Sequence, residues 1–173
     1  YIGALSSFSV AISMNPDNSQ SYDNRGLAKQ ALKDNRGAIL DFDKAIDLSP
    51  RDAASFLYRG LSKSYQDDNR AALQDFNRAI EIAPDDVAAY LHRGVIRAKM
   101  NDLSKANQDF TKVIELNPEA KEKYQAYFSR GICKSKLDDF NGSISDFSKA
   151  IELNSKKALT YAERGKNRIK VNA

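Results

Sequence analysis

A chain of 173 residues, 42% hydrophobic and 29% charged, with eight glycines and four prolines, has the composition of an ordinary folded helical protein and not of a disordered or fibrous one. Its net charge of +4 is spread along the chain, which reads as a solvated surface rather than an electrostatic footprint for nucleic acid. One cysteine and one histidine exclude a disulfide within the chain and a Cys/His metal set, and no apolar run approaches the ~20 residues of a membrane span.

Tyr1 to Asn15 predicts one helix, with Ala4, Leu5, Phe8, Ala11 and Ile12 on one face. From Ser19 the chain repeats a two-helix unit, clearest from Ala53 to Asp86. There Phe56, Leu57, Gly60, Leu61 and Ser64 mark the first helix; Ala72, Leu73, Phe76, Ala79, Ile80 and Ile82 mark the second. Asp34, Asp68, Asp102 and Asp139 stand where the second helices need an N-cap, and Pro50 and Pro84 stand where they end. Steps of 34 residues connect Gly26, Gly60 and Gly94, a step of 37 reaches Gly131 and a further 34 reaches Gly165; Phe8, Phe42, Phe76, Phe110 and Phe147 keep the same beat. Asn117-Pro118-Glu119 reads as an N-cap, a first helical residue and a favourable acid, so the helix from Pro118 to about Leu137 is expected to be longer by about one turn. The stretch from Lys157 onward predicts a first helix alone.

A fixed period of this size means stacked repeats. Each glycine lies inside a helix at a cost of ~1 kcal/mol relative to alanine, and close approach of the two helices explains it. Tyr22, Gly26, Ala38, Phe42, Ala45 and Pro50, and likewise Phe56, Gly60, Ala72, Phe76, Ala79 and Pro84, match the signature columns of the tetratricopeptide repeat, which the unit resembles over nearly the whole chain. The resemblance implies an all-α fold, a right-handed α-solenoid of antiparallel helix pairs whose first helices line a concave groove. Residues 1–173 are expected to form a single repeat domain. In it, 1–18 supply the second helix of a truncated unit, 19–52, 53–86, 87–120 and 121–157 are complete units, and 158–173 are a first helix or cap. The missing first half of the opening unit reads as the mark of a fragment. Where the family usually has leucine before the glycine, this chain has Arg25, Arg59, Arg93, Arg130 and Arg164. The first four have an aspartate 16 residues later, at Asp41, Asp75, Asp109 and Asp146, and a guanidinium between packed helices needs such a partner. An Arg-Asp ladder that sets register is therefore expected, with Arg164 as the exception left free.

No nucleophile with a base, no phosphate loop and no paired acid and base emerge, so the chain does not read as an enzyme and no cofactor is expected. Cys133 shares a column with Ala28, Ser62 and Ile96 and reads as a packed thiol. The groove geometry that the resemblance implies makes Leu57, Leu61, Leu91, Val95, Phe128 and Ile132 an apolar wall that faces a ligand, not the core, with Asp23 as its one polar member. Lys99 and Lys136 add a basic edge. Such a wall suits a peptide or helix of a protein partner, amphipathic and acidic, which makes the chain an interaction scaffold in assembly or a chaperone-like adaptor. The carboxylate clamp of chaperone-tail binders is absent: its places hold Asp23, Leu27, Tyr58, Ala88 and His92. On this reading Leu91→Glu is expected to abolish binding and spare the fold. The alternative is a nucleic-acid-binding helical repeat using the basic end at Lys156, Lys157, Arg164, Lys166, Arg168 and Lys170; it is disfavoured because the phenylalanine beat belongs to helix packing. Self-association remains a further partner mode, and the composition favours a soluble chain, cytoplasmic over secreted.

Overall fold

The computed structural model describes residues 1–172, which form ten α-helices and no strand: α1 (Ile2–Met14), α2 (Ser19–Ala31), α3 (Asn35–Leu48), α4 (Ala53–Ser64), α5 (Asn69–Ile82), α6 (Val87–Lys99), α7 (Leu103–Glu115), α8 (Ala120–Lys136), α9 (Phe140–Leu153) and α10 (Ala158–Val171). The chain falls into two compact units, Tyr1–Ala89 and Tyr90–Ala173, divided inside α6. In the first, α1 packs on α2, α2 on α3, α3 on α4 and α4 on α5, and α2 also touches α4. In the second, α7 packs on α8, α8 on α9 and α9 on α10, and α8 touches α10.

Each turn from a first helix to a second uses one residue in the left-handed region: Lys33, Asp67, Asn101 and Asp138, with φ of 64°, 61°, 64° and 60°. The aspartate that follows serves both helices. Its amide closes the first one by donating to the carbonyl five residues back, as Asp34 does to Lys29 (2.9 Å) and Asp139 to Lys134 (2.9 Å). Its carboxylate then caps the second: Asp34 accepts from the Gly37 amide, Asp68 from Ala71 and Asp139 from Gly142. Asp102 departs from the expectation. Its side chain makes no cap bond and lies instead 3.3 Å from Lys105.

The paired helices meet where the glycine column places them. A Cβ added to Gly26, Gly60, Gly94 or Gly131 would stand 2.6 to 2.8 Å from the ring of Phe42, Phe76, Phe110 or Phe147, closer than any side chain tolerates. Those four rings are fully buried and form the centre of each pair with Ala38, Ala45, Ala72, Ala79, Ala106 and Ala150. The expected lengthening of the helix after Pro118 is present: α8 runs 17 residues against 13 for α2 and 12 for α4. It starts two residues later than the sequence suggests. Asn117 adopts φ 52° at the end of α7 and so cannot supply the extended backbone of an N-cap, a place taken by Glu119.

Candidate functional site

The arginine column is built as a clamp. Arg25 donates through Nε and Nη2 to Asp41 (2.9 and 2.6 Å), Arg59 to Asp75 (3.0 and 2.7 Å) and Arg130 to Asp146 (2.8 and 2.7 Å), and Arg93 Nη2 reaches Asp109 at 2.7 Å. All four carboxylates are buried, and each meets a second cation one helical turn further along: Lys29 at 2.7 Å, Lys63 at 2.8 Å, Arg97 at 2.7 Å and Lys134 at 2.9 Å. The sequence reading missed this second cation, although a residue four after the arginine shares its helix face. The third guanidinium nitrogen reaches the second helix of the preceding pair: Arg25 Nη1 donates to Ser9 (3.4 Å), Arg59 to Asp43 (2.6 Å) and Arg130 to Thr111 (3.0 Å). Each guanidinium also lies over the aromatic ring three residues before it, at 5.2 to 5.6 Å from the centroids of Tyr22, Phe56, Tyr90 and Tyr127. Bonding to Asp41 holds the Arg25 proton more firmly than usual. At Arg59 burial pulls the other way, and the carboxylates of Asp75 and Asp43 outweigh it. Arg164 is not free as expected: its Nη1 donates to Ser148 (3.2 Å) and its guanidinium lies over Tyr161.

The apolar wall divides into two kinds of position. Leu57 and Leu91 are each 7% exposed, which corrects the expectation that they face a ligand. In the same column, three residues before the glycine, Phe128 turns toward the second helix, its ring 5.7 Å from that of Phe147. Helical periodicity identified the face but not what covers it. The column one residue after the glycine is the more open one, with Leu61 and Ile132 half-buried and Val95 45% exposed. In the second unit Val95, Ala98, Phe128, Ser129 and Ile132 line a dent of about 230 Å³ floored by Phe110 and Cys133. Lys99 and Lys136, one turn beyond Val95 and Ile132, are exposed. Cys133 is buried as expected; burial pushes its thiol pKa up, with Lys136 opposing.

Asp23 is the polar exception, and it is not exposed wall either. It is 1% exposed, accepts from Ser55 Oγ at 2.8 Å through Oδ2, and leaves Oδ1 without a partner. Burial raises its pKa from 3.8 to about 6, with the Ser55 bond opposing and Asp52 adding a smaller push. Among the described residues no group of three or more His, Cys, Asp or Glu side chains is placed to hold a metal ion, and no helix is long and apolar enough to cross a membrane.

The columns that organise both units are those of a known repeat. The Tetratricopeptide repeat family profile matches residues 19–52, 87–119 and 124–163. Among solved structures the chain is similar to MamA (23% identity, 89% of this chain and 88% of that one, TM-score 0.81). It is also similar to YrrB, described as a TPR protein with an unusual peptide-binding site (19% identity, 95% and 84%, TM-score 0.83). A third likeness is to a tetratricopeptide repeat protein from Parabacteroides merdae ATCC 43184 (18% identity, 99% and 67%, TM-score 0.82). No curated protein matches the sequence. With the family profile over more than half of its length and the glycine, phenylalanine and alanine columns packed as described, the chain belongs to the tetratricopeptide repeat family, an all-α family whose members generally serve as protein-interaction scaffolds.

Proposed function

We propose that the chain holds a peptide or helix of a partner protein against its first helices, as an assembly or chaperone-like adaptor, and that the second unit carries the best-formed part of that surface. The observation that carries this reading is the dent of about 230 Å³ at Val95, Phe128 and Ile132, apolar in its lining and flanked by exposed Lys99 and Lys136. An apolar depression beside cations suits an amphipathic segment bearing acidic residues. Leu91 supports the wall from beneath, and in the first unit Leu57 and Leu61 hold the same two columns. YrrB, a protein of this fold with a peptide-binding site, supports peptide as the ligand class.

The test is fluorescence polarisation against an array of acidic amphipathic peptides. Val95→Glu is expected to weaken binding at least ten-fold with helicity intact, since a charge at an exposed site shifts stability by no more than ~0.5 kcal/mol. Lys99→Glu with Lys136→Glu is expected to weaken acidic peptides most at low salt and to spare uncharged ones. Undiminished binding by Val95→Glu would remove the dent from the site.

A further inference from the structure

The turn edge of the repeat is finished differently in the two units. In the second, the chain's own side chains meet there: Lys170 Nζ, five residues after Gly165, lies 4.8 Å from the centroid of Phe140, the residue that opens α9. In the first unit the same two places hold Tyr65, five residues after Gly60, and Asn35, which opens α3. The aromatic ring is now on the side of the first helix, and the place stays open. Leu27, Gln30, Ala31, Lys33, Asn35 and Tyr65 line a cleft of about 480 Å³. Leu27, Ala31 and the Tyr65 ring, 64% exposed, form its apolar side. Lys33 and Asn35 form its polar side; Oδ1 of Asn35 is buried, so Nδ2 is the end of that amide which a ligand meets. Neither the Lys33 ammonium nor the Asn35 side-chain amide has a partner among the described residues. Gln30 is committed elsewhere, since its Nε2 donates to Ser62 Oγ at 3.0 Å and ties α2 to α4. Exposed Arg36 shares an adjoining hollow with Lys33 and Asn35, while the one carboxylate there, Asp34, accepts from the Gly37 amide.

We propose that this cleft seats a segment of a partner protein in which an apolar residue is followed by an acidic one, the apolar side chain resting on Leu27, Ala31 and Tyr65 and the carboxylate on Lys33 and Asn35. The donors decide the occupant. Two N–H groups without acceptors and a second cation close by repel a basic residue, and they leave a purely apolar one only half matched. Ala31, Lys33 and Tyr65 are all exposed, and Leu27 stands in the column of Leu61, so a peptide chain can enter and leave along the first helices. The cleft shares no residue with the Val95 dent and stands whatever occupies that dent.

The probe is the dipeptide N-acetyl-leucyl-glutamic acid amide, titrated into the isotope-labelled 173-residue chain and followed by amide NMR shifts. Saturable shifts are expected at Leu27, Ala31, Lys33, Tyr65 and the Asn35 side-chain amide, with the millimolar dissociation constant that suits so small a ligand. The glutamine analogue and the alanyl analogue are each expected to bind at least five-fold more weakly. Lys33→Asn and Asn35→Leu are each expected to weaken the acidic dipeptide at least five-fold; they copy the turn that holds Asn101 and Leu103 in these places, so the fold is kept. Tyr65→Ala is expected to weaken every dipeptide, and Val95→Glu none. Absence of saturable shifts at millimolar dipeptide overturns the proposal, as does binding that survives Lys33→Asn and Tyr65→Ala. Shifts confined to Val95 and Ile132 overturn it too, since they assign the dipeptide to the dent and leave the reading of that dent intact.

Discussion

The two units build the same pairs from the same columns but fill the position three residues before the glycine differently. In the first unit that position holds Asp23 and Leu57; in the second it holds Leu91 and Phe128. Asp23 sits at 1% exposure with one carboxylate oxygen unsatisfied, while Phe128 packs its ring on Phe147. The fold tolerates a carboxylate in a column built for a hydrophobe, so this column does not define it. The columns common to both units are the glycine and phenylalanine contact and the Arg-Asp clamp. What this column changes between the units is therefore the cost of burying its side chain, not the way the helices pair.

The comparison breaks most sharply at the shared column. Phe76→Ala in the first unit and Phe147→Ala in the second are each expected to cost ~3 to 5 kcal/mol in urea unfolding, since both rings are fully buried and would leave comparable cavities. A smaller effect is expected at the clamp. Asp75→Asn and Asp109→Asn should each cost roughly 1.5 to 3 kcal/mol, the value of hydrogen bonds to charged groups, with water reaching the partly exposed cations as the moderating influence. A double-mutant cycle on Arg59 and Asp75 that gives no coupling would dissolve the clamp as a shared feature.

Asp23 sharpens the contrast between the units. Its pKa rises from 3.8 to about 6 in the fold, so between those pH values the native state keeps a proton that the unfolded chain has lost. Stability in the first unit is thus expected to fall as pH rises through that window, by roughly 3 kcal/mol, and to remain low above it. Asp23→Leu should stabilise the first unit by ~2 kcal/mol near pH 7.5, after allowing for the lost Ser55 bond, and the gain should disappear by pH 4. Hydrogen exchange of α2 and α4 reads this directly; a pH-independent gain would remove the buried charge as its cause. The smallest contrast lies in the caps. Asp68→Ala should cost ~1 kcal/mol, and Asp102→Ala, whose carboxylate caps nothing, only a few tenths in the same assay.

Much of this architecture was legible in the chain. A glycine recurring inside a helix has few explanations besides close approach, and Gly26, Gly60, Gly94 and Gly131 are each answered by a phenylalanine 16 residues later. The Arg-Asp spacing was equally readable, because a buried guanidinium demands a carboxylate. The second cation was overlooked although Lys29, Lys63, Arg97 and Lys134 stand in one column. Burial of Leu57 and Leu91 was not legible: periodicity shows which residues share a face, while the cover over that face depends on tertiary contacts. The same limit applies to Asp23, whose spacing matches the wall and whose surroundings do not. Leu91→Glu consequently changes meaning, from a probe of binding to a substitution that buries a charge, and Val95→Glu takes its place.

The 16-residue spacing of the clamp also bears on how quickly the chain folds. Arg25, Arg59, Arg93 and Arg130 find their carboxylates, and Gly26, Gly60, Gly94 and Gly131 their rings, across a single turn, so the contacts that define a helix pair require closure of short loops only. Contacts this local favour rapid closure of each pair and allow any pair to form first and template the next. Order of formation then follows local stability, and burial of the Asp23 carboxylate lowers that of its own pair as the pH rises from 3.8 to about 6.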